Sequence, residues 1–398
     1  MSTRKLFSRD AFLNFILMAI SASACLLLSE FVLRSIFPFK NEYYIWRPHL
    51  KRIFKPSPAI MPGIKGESRF MSNSMGLRGE EISPRDTHKI VAVGGSTTEC
   101  LYLDQAEAWP QLLQQKLNEH TRTGRVWVGN AGKGGLNTRE HILQFRYLFE
   151  KFFELDAVIV LVGINDLNLR LKQDEGYEPR FLERPDFEEQ LIPRVFSVLP
   201  MENDPVFFKR TALWDAARRL RRSMFGRAQN VQDDSGKSII KWRALRKNAK
   251  AIRHTLPDLA AALEEYARNV NRIIDMGRDK SVRLIFLTQP VMWKPGLPKE
   301  LHDLMWSGGV GNFREAIESE FYSVEALATG MQMYNEKLKE VCRWREVECF
   351  DLASCLPAPQ DTTIFYDHCH FNENGAREVA DAVAHYLLER SPRANASF

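Results

Sequence analysis

The first marked pattern in this chain of 398 residues is an unbroken apolar run near its start, AFLNFILMAISASACLLLSEFVLRSI over residues 11–36. Its first part, through Ser29, carries no charge. A helix needs about 20 such residues to cross a hydrocarbon layer of about 30 Å, so the run predicts one N-terminal transmembrane helix. Residues 37–86 are rich in proline, glycine and aromatics and show no helical period. They predict an extended linker with short strands, in which SNSMGLRGEE (72–81) is a turn.

From Lys89 the pattern changes: short apolar runs alternate with amphipathic stretches, as in a parallel sheet covered on both faces by helices. The strand candidates are IVAVGG, VWVGN, AVIVLVG, RLIFLTQ and VECFDL. Helices are predicted at 107–121, 138–153, 258–278, 332–345 and 373–390, several with apolar residues three and four apart. Two stretches interrupt the alternation. Residues 168–257 carry no strand signal and suggest an insertion or lid, and residues 291–331 hold Trp293, Trp306 and the turn-prone SGGVGN. The expected organisation is a tail at 1–10, an anchor at 11–36, a linker at 37–86 and one three-layer α/β/α domain at 87–392. That domain has a central parallel sheet of about five strands and two insertions.

Flanking charge gives the helix a direction. Arg4, Lys5 and Arg9 precede the apolar run, and Phe37, Phe39, Tyr43, Tyr44 and Trp46 follow it. Basic flanks resist translocation and aromatics favour the interface, so the N-terminus is expected in the cytoplasm and the large domain outside it, in the periplasm of a Gram-negative cell. A cleaved signal peptide is one alternative, with Ala22-Ser23-Ala24 as the cleavage site, but cutting there leaves CLLLSEFVL at the new terminus. A buried helix of a soluble fold is another; the basic and aromatic flanks count against it.

The net charge of +5 is mild, and much of the excess lies between Lys209 and Arg253. Arg218, Arg219, Arg221, Arg222, Lys241, Arg243, Arg246, Lys247, Lys250 and Arg253 suit an anionic lipid or acidic polysaccharide surface, or equally a solvated helical face. No zinc-finger or RNA-binding motif is present, so no nucleic-acid partner is expected. The six cysteines form no C-x-x-C pair, which argues against a structural zinc site. A disulfide among Cys342, Cys349, Cys355 and Cys369 stays open.

A serine hydroxyl becomes a nucleophile when a base takes its proton and a third group orients that base. Ser96, in IVAVGGSTTE, lies between a strand and a helix, with Gly94 and Gly95 permitting a tight turn. It can equally be a helix cap, and Thr97 or Thr98 can serve in its place. Near the C-terminus, DHCHFNENGA places Asp367 and His370 on one short loop; His368 is a second base candidate, and Asn372 can cap the last helix. GNAGKGGLNT, with Gly135, and VGINDL, with Gly163, Asn165 and Asp166, end two further strands. In open α/β sheets these strand ends share one crevice. A glycine N–H and an asparagine amide there suit an oxyanion, though both residues are also ordinary turn formers.

Together, GGST, NAGKGG, GIND and DHCH resemble, in chain order, the four blocks of the SGNH (GDSL-like) hydrolase family. The resemblance spans about residues 89–390 outside the insertions and implies a flavodoxin-like fold. It implies Ser96 as nucleophile and first oxyanion donor, Gly135 as second donor, Asn165 as third, and Asp367 with His370 as orienter and base. No metal or organic cofactor is implied. Gly95 stands where the family's Asp is usual, and Gly132 and Gly134 are near alternatives to Gly135.

The implied activity is hydrolysis of O-acyl esters, acetyl foremost. With the topology above and the aromatics Trp293 and Trp306, an acylated envelope or exported polysaccharide is the expected substrate. An O-acyltransferase on glycans, a lipid esterase and a noncatalytic glycan-binding scaffold are the alternatives.

Overall fold

In the computed structural model of this chain, residues 9–36, 43–121, 124–148, 154–198, 206–214, 216, 217, 220 and 235–390 are described. The chain divides into two compact units. One comprises residues 1–43 and 199–227, the other residues 44–198 and 228–398.

In the first unit, α1 (Arg9–Ile36) is one continuous helix. Its stretch Phe12–Ile36 has a mean hydropathy of 2.2 and none of it is buried. By length and composition it can cross a membrane, a property shared by a single-pass anchor and a signal sequence. Glu30 accepts the backbone N–H groups of Ala212 (2.8 Å) and Leu213 (3.0 Å) and pairs with Arg34 at 2.7 Å.

In the second unit, β1 (Lys51–Phe54) pairs antiparallel with β2 (Ser68–Met71), Lys51 opposite Met71. There follow β3 (Asp86–Gly94), α2 (Ser96–Glu99), α3 (Trp109–His120), β4 (Arg125–Asn130), α4 (Thr138–Leu148) and β5 (Ala157–Leu161). Next come α5 (Ile164–Gln173), α6 (Phe187–Val195), α7 (Ser235–Lys247), β6 (Ala251–Arg253), α8 (Ala260–Asp279), β7 (Arg283–Leu287) and α9 (Lys299–His302). The series ends with β8 (Glu320–Tyr322), α10 (Val324–Trp344), β9 (Glu348–Phe350), α11 (Leu352–Cys355) and α12 (Glu373–Arg390).

The central sheet runs β4-β3-β5-β7-β9 with every pairing parallel. Its middle strands are buried on both faces, which is why Ile90–Val93 and Ala157–Leu161 read as unbroken apolar runs. Helices α3 and α12 pack together as one layer; α4, α5, α8 and α10 form the other. The α/β/α architecture and all five predicted strands are therefore present.

Three stretches differ from the pattern reading. Residues 44–86, expected as a linker with short strands, bury Phe54, Met61, Ile64, Phe70, Leu77 and the whole of Arg78. Residues 168–257, which show no strand signal, contain β6. This three-residue strand exists only through its parallel pairing with β8 of the second insertion, Ile252 opposite Phe321, a partner that no local pattern can announce. Helix α10 begins at Val324 rather than 332, where Ser323 Oγ accepts the Ala326 N–H at 3.2 Å.

The basic block also changes meaning. Arg243 donates to the carbonyls of Leu304 (3.0 Å), Ile60 (2.7 Å) and Tyr366 (3.2 Å). Arg246 donates to those of Ser307 (2.6 Å) and Tyr322 (2.7 Å), and Arg253 pairs with Asp174 and Glu320. These three arginines fasten chain segments to one another, whereas Lys241, Lys247 and Lys250 are exposed, as a solvated face requires. Arg218, Arg219, Arg221 and Arg222 lie outside the described residues. All six cysteines are free thiols, so the disulfide left open by the sequence is not formed here.

Candidate active site

Strand β3 is flanked by β4 on one side and β5 on the other, so the ends of these three strands lie side by side. This is the switch point where open α/β sheets form crevices. It brings together the loops carrying Ser96, Gly135 and Asn165.

The turn from β3 into α2 has no room for side chains. A Cβ on Gly94 would stand 2.2 Å from Thr98 Oγ1, and one on Gly95 would stand 2.4 Å from Asn165 Nδ2. A side chain at position 95, where the family usually has Asp, would therefore meet the Asn165 amide in this arrangement. Ser96 makes no capping hydrogen bond; Gly95 occupies the cap position. Instead, Ser96 Oγ lies 2.7 Å from His370 Nε2. Thr97 Oγ1 donates to Gln289 at 3.2 Å and Thr98 is fully buried, so neither competes for the imidazole.

His370 Nδ1 lies 2.7 Å from Asp367 Oδ2 and 2.9 Å from Oδ1. The carboxylate is buried and accepts three further N–H groups: Cys369 N (3.0 Å) and His370 N (2.9 Å) at Oδ1, and the Trp306 indole (2.9 Å) at Oδ2. Burial alone would raise its pKa, but His370, His368 and these hydrogen bonds hold it well below the usual carboxylate range. With the imidazole proton on Nδ1, Nε2 is free to accept the Ser96 proton. The ring is stacked between Tyr366 (5.4 Å) and Trp306 (6.0 Å).

His368 is no rival base. It is 1% exposed and stacked on Trp293 at 5.3 Å, and burial pushes its pKa down to about 3. Asn372 caps α12, its Oδ1 accepting the Gly375 N–H at 2.9 Å. Asp166 is occupied structurally: it accepts Thr138 N (3.1 Å) and Thr138 Oγ1 (2.5 Å), and burial raises its pKa to about 7.

Backbone accounting separates the three glycines of NAGKGG. The Gly132 N–H donates to Asn130 Oδ1 at 2.8 Å, and the Gly134 N–H to Glu99. The Gly135 N–H has no partner among the described residues, and this glycine has φ +77° with open space around it. Asn165 Nδ2 donates one hydrogen to the Leu136 carbonyl at 2.8 Å, which leaves its other hydrogen for a ligand.

Sequence reasoning missed several residues here. Arg78, fully buried, donates to the carbonyls of Glu99 (2.6 Å), Cys100 (2.6 Å), Leu103 (2.8 Å) and Asp104 (3.1 Å), clamping the end of the α2 turn. Glu99 is raised to about 7 by burial, against the pull of Arg78 and the Gly134 N–H. Lys133 is lowered to about 8 by burial, and its Nζ donates to Val195 O at 3.0 Å. No spacing in the sequence marks these three. Trp306 and Trp293, 8% and 4% exposed, pack against Asp367, His368 and His370 and present no open aromatic platform for a sugar. Asp367, His368, Cys369 and His370 place potential metal-ligand atoms within 4.8 Å of one another. A metal held there would compete with the contacts from His370 to Asp367 and Ser96.

The sequence pattern of the GDSL-like Lipase/Acylhydrolase family matches residues 92–378. Similar solved structures include the M. smegmatis aryl esterase (11% identity, TM-score 0.39, covering 76% of this chain and 99% of that one). A carbohydrate acetylesterase from Sinorhizobium meliloti has 9% identity and a TM-score of 0.38, covering 76% of this chain and 99% of its own. An acetylxylan esterase from Geobacillus stearothermophilus has 12% identity and a TM-score of 0.40, covering 76% of this chain and 94% of its own. No curated protein matches the chain. With its family pattern running from the middle of β3 into α12, the chain belongs to the GDSL-like lipase/acylhydrolase family and is an enzyme that hydrolyses esters.

Proposed function

We propose that this enzyme cleaves short O-acyl esters, acetyl foremost, through an acyl-enzyme on Ser96. The observation that carries the reading is the continuous chain of contacts from Ser96 Oγ to His370 Nε2 (2.7 Å) and from His370 Nδ1 to Asp367 (2.7 Å). Ser96 Oγ attacks the ester carbonyl carbon as His370 takes its proton. The carbonyl oxygen becomes an oxyanion, received by the N–H groups of Ser96 and Gly135 and the spare hydrogen of Asn165 Nδ2. Collapse breaks the bond to the alcohol, which leaves with the proton from His370. Water, deprotonated by His370, then attacks the acyl carbon and releases the acid and free Ser96. Asp367 holds the imidazole and stabilises its protonated form throughout.

The polysaccharide assignment rests on the topology inferred for α1, with Arg4, Lys5 and Arg9 on the cytoplasmic side. The buried tryptophans no longer support it.

The test is full-chain hydrolysis of p-nitrophenyl acetate against p-nitrophenyl octanoate, with acetate release from an O-acetylated polysaccharide measured alongside. The acetyl ester is expected to react at least about tenfold faster. Faster octanoate cleavage would indicate a lipid esterase, and acetyl transfer to an added sugar in preference to water would indicate a transferase.

A further inference from the structure

Between Val198 and Ala228 the chain leaves the catalytic unit and belongs with α1. Helix α1 is uncharged from Phe12 to Ser29. At a rise of about 1.5 Å per residue this covers about 27 Å, close to the thickness of a hydrocarbon core. Glu30 and Arg34 follow, where such a helix would leave the hydrocarbon. The returning chain docks at that level. Glu30 accepts the Ala212 and Leu213 N–H groups, and Arg34 donates to the Arg210 carbonyl at 3.2 Å as well as to Glu30.

The docked segment has an unusual surface. Phe207 is 82% exposed, Phe208 54%, Trp214 40% and the nearby Leu220 59%. Residues 206–227 contain seven lysines and arginines against the single acid Asp215. Exposed aromatics on a strongly basic segment suit neither a soluble surface nor a protein core. They are the composition of a segment lying among anionic headgroups.

We propose that Val206–Trp214, which carries Lys209 and Arg210, is a second membrane contact that enters the headgroup layer of an anionic bilayer beside the emerging end of α1. Trp214 and the two phenylalanines reach toward the acyl boundary, and the charges of Lys209 and Arg210 draw the segment to lipid phosphates. The proposal rests on α1 being a retained anchor and is independent of the esterase chemistry.

The test reconstitutes the full chain with Phe207→p-benzoylphenylalanine into phosphatidylcholine vesicles with and without phosphatidylglycerol. A second chain carries the photo-crosslinker at Ile317, 79% exposed in the catalytic unit. Retention after an alkaline wash reports the anchor separately, and p-nitrophenyl acetate hydrolysis reports the catalytic unit. Lipid adducts are expected at 207 in far higher yield than at 317. They should fall about fivefold for each charge removed in Lys209→Gln and Arg210→Gln, and fall likewise without phosphatidylglycerol, while hydrolysis is unchanged. Adducts at 207 no more frequent than at 317, crosslinks from 207 to the catalytic unit instead of lipid, or a yield indifferent to lipid charge would each overturn the proposal. A chain removed by the alkaline wash would overturn the anchor and the proposal with it.

Discussion

The indole N–H of Trp306 donates to Oδ2 of Asp367 at 2.9 Å, the same oxygen that lies 2.7 Å from His370 Nδ1. Trp306 comes from the second insertion, so a segment outside the core α/β pattern supplies a donor to the carboxylate that orients the base. The indole is itself held by the Arg314 guanidinium, 4.9 Å from its ring, and by Trp242 at 4.9 Å.

Replacing Trp306 by Phe keeps most of the stacking and removes the donor. A buried acceptor deprived of one hydrogen bond costs about 1–3 kcal/mol. We expect Trp306→Phe to lower kcat about tenfold with KM little changed, as measured on p-nitrophenyl acetate. An unchanged kcat would show that the indole only fills space.

Arg78 places four charge-assisted hydrogen bonds on the chain just after Ser96. Arg78→Met leaves four carbonyls without that donor and Glu99 without its buried counter-charge. A loss of at least about 3 kcal/mol in urea unfolding is expected. Arg78→Lys should recover part of it, since a single ammonium cannot span all four carbonyls. Equal stability of the wild type and Arg78→Met would contradict the clamp.

At Gly95 the constraint is steric: a methyl group would meet the Asn165 amide at 2.4 Å. Gly95→Ala should displace that amide and cost about a hundredfold in kcat, the scale of one lost oxyanion donor. Gly135→Ala has open space and suffers only the strain of φ +77°, about 1–2 kcal/mol. If both variants lose the same small amount, the Asn165 amide has no part in the reaction.

Much of this was legible beforehand, for particular reasons. The middle strands of the central sheet are buried on both faces, so burial is written into Ile90–Val93 and Ala157–Leu161 as continuous apolar runs. Ser96, Asp367 and His370 stood out because each sits at a strand end or helix entry in a recognisable block, and the structure does bring those side chains together. Arg78, Arg243 and Trp306 were illegible because their importance lies in contacts across 21 or more residues, and a buried arginine looks like a solvated one in sequence. Strand β6 was hidden for the same reason: its partner is β8, far along the chain.

His141 offers a test of burial through pH. It is 1% exposed, and its pKa falls to about 4 because burial disfavours the charged ring. The unfolded chain takes up this proton near pH 6.5 while the folded one stays neutral, so stability is lost as pH drops from about 6.5 toward 4. Comparing urea unfolding at pH 7 and pH 5, His141→Gln should lose about 2 kcal/mol less than the wild type. Identical losses would mean that the ring is charged or hydrated in the folded enzyme.

Whether Ser96 is the nucleophile is read from the site of covalent labelling by a fluorophosphonate, located by peptide mass spectrometry on the full chain. An adduct on Ser96 is expected, absent from Ser96→Ala and formed far more slowly in His370→Ala. Labelling that persists in Ser96→Ala, or an adduct on Thr97 or Thr98, would contradict it.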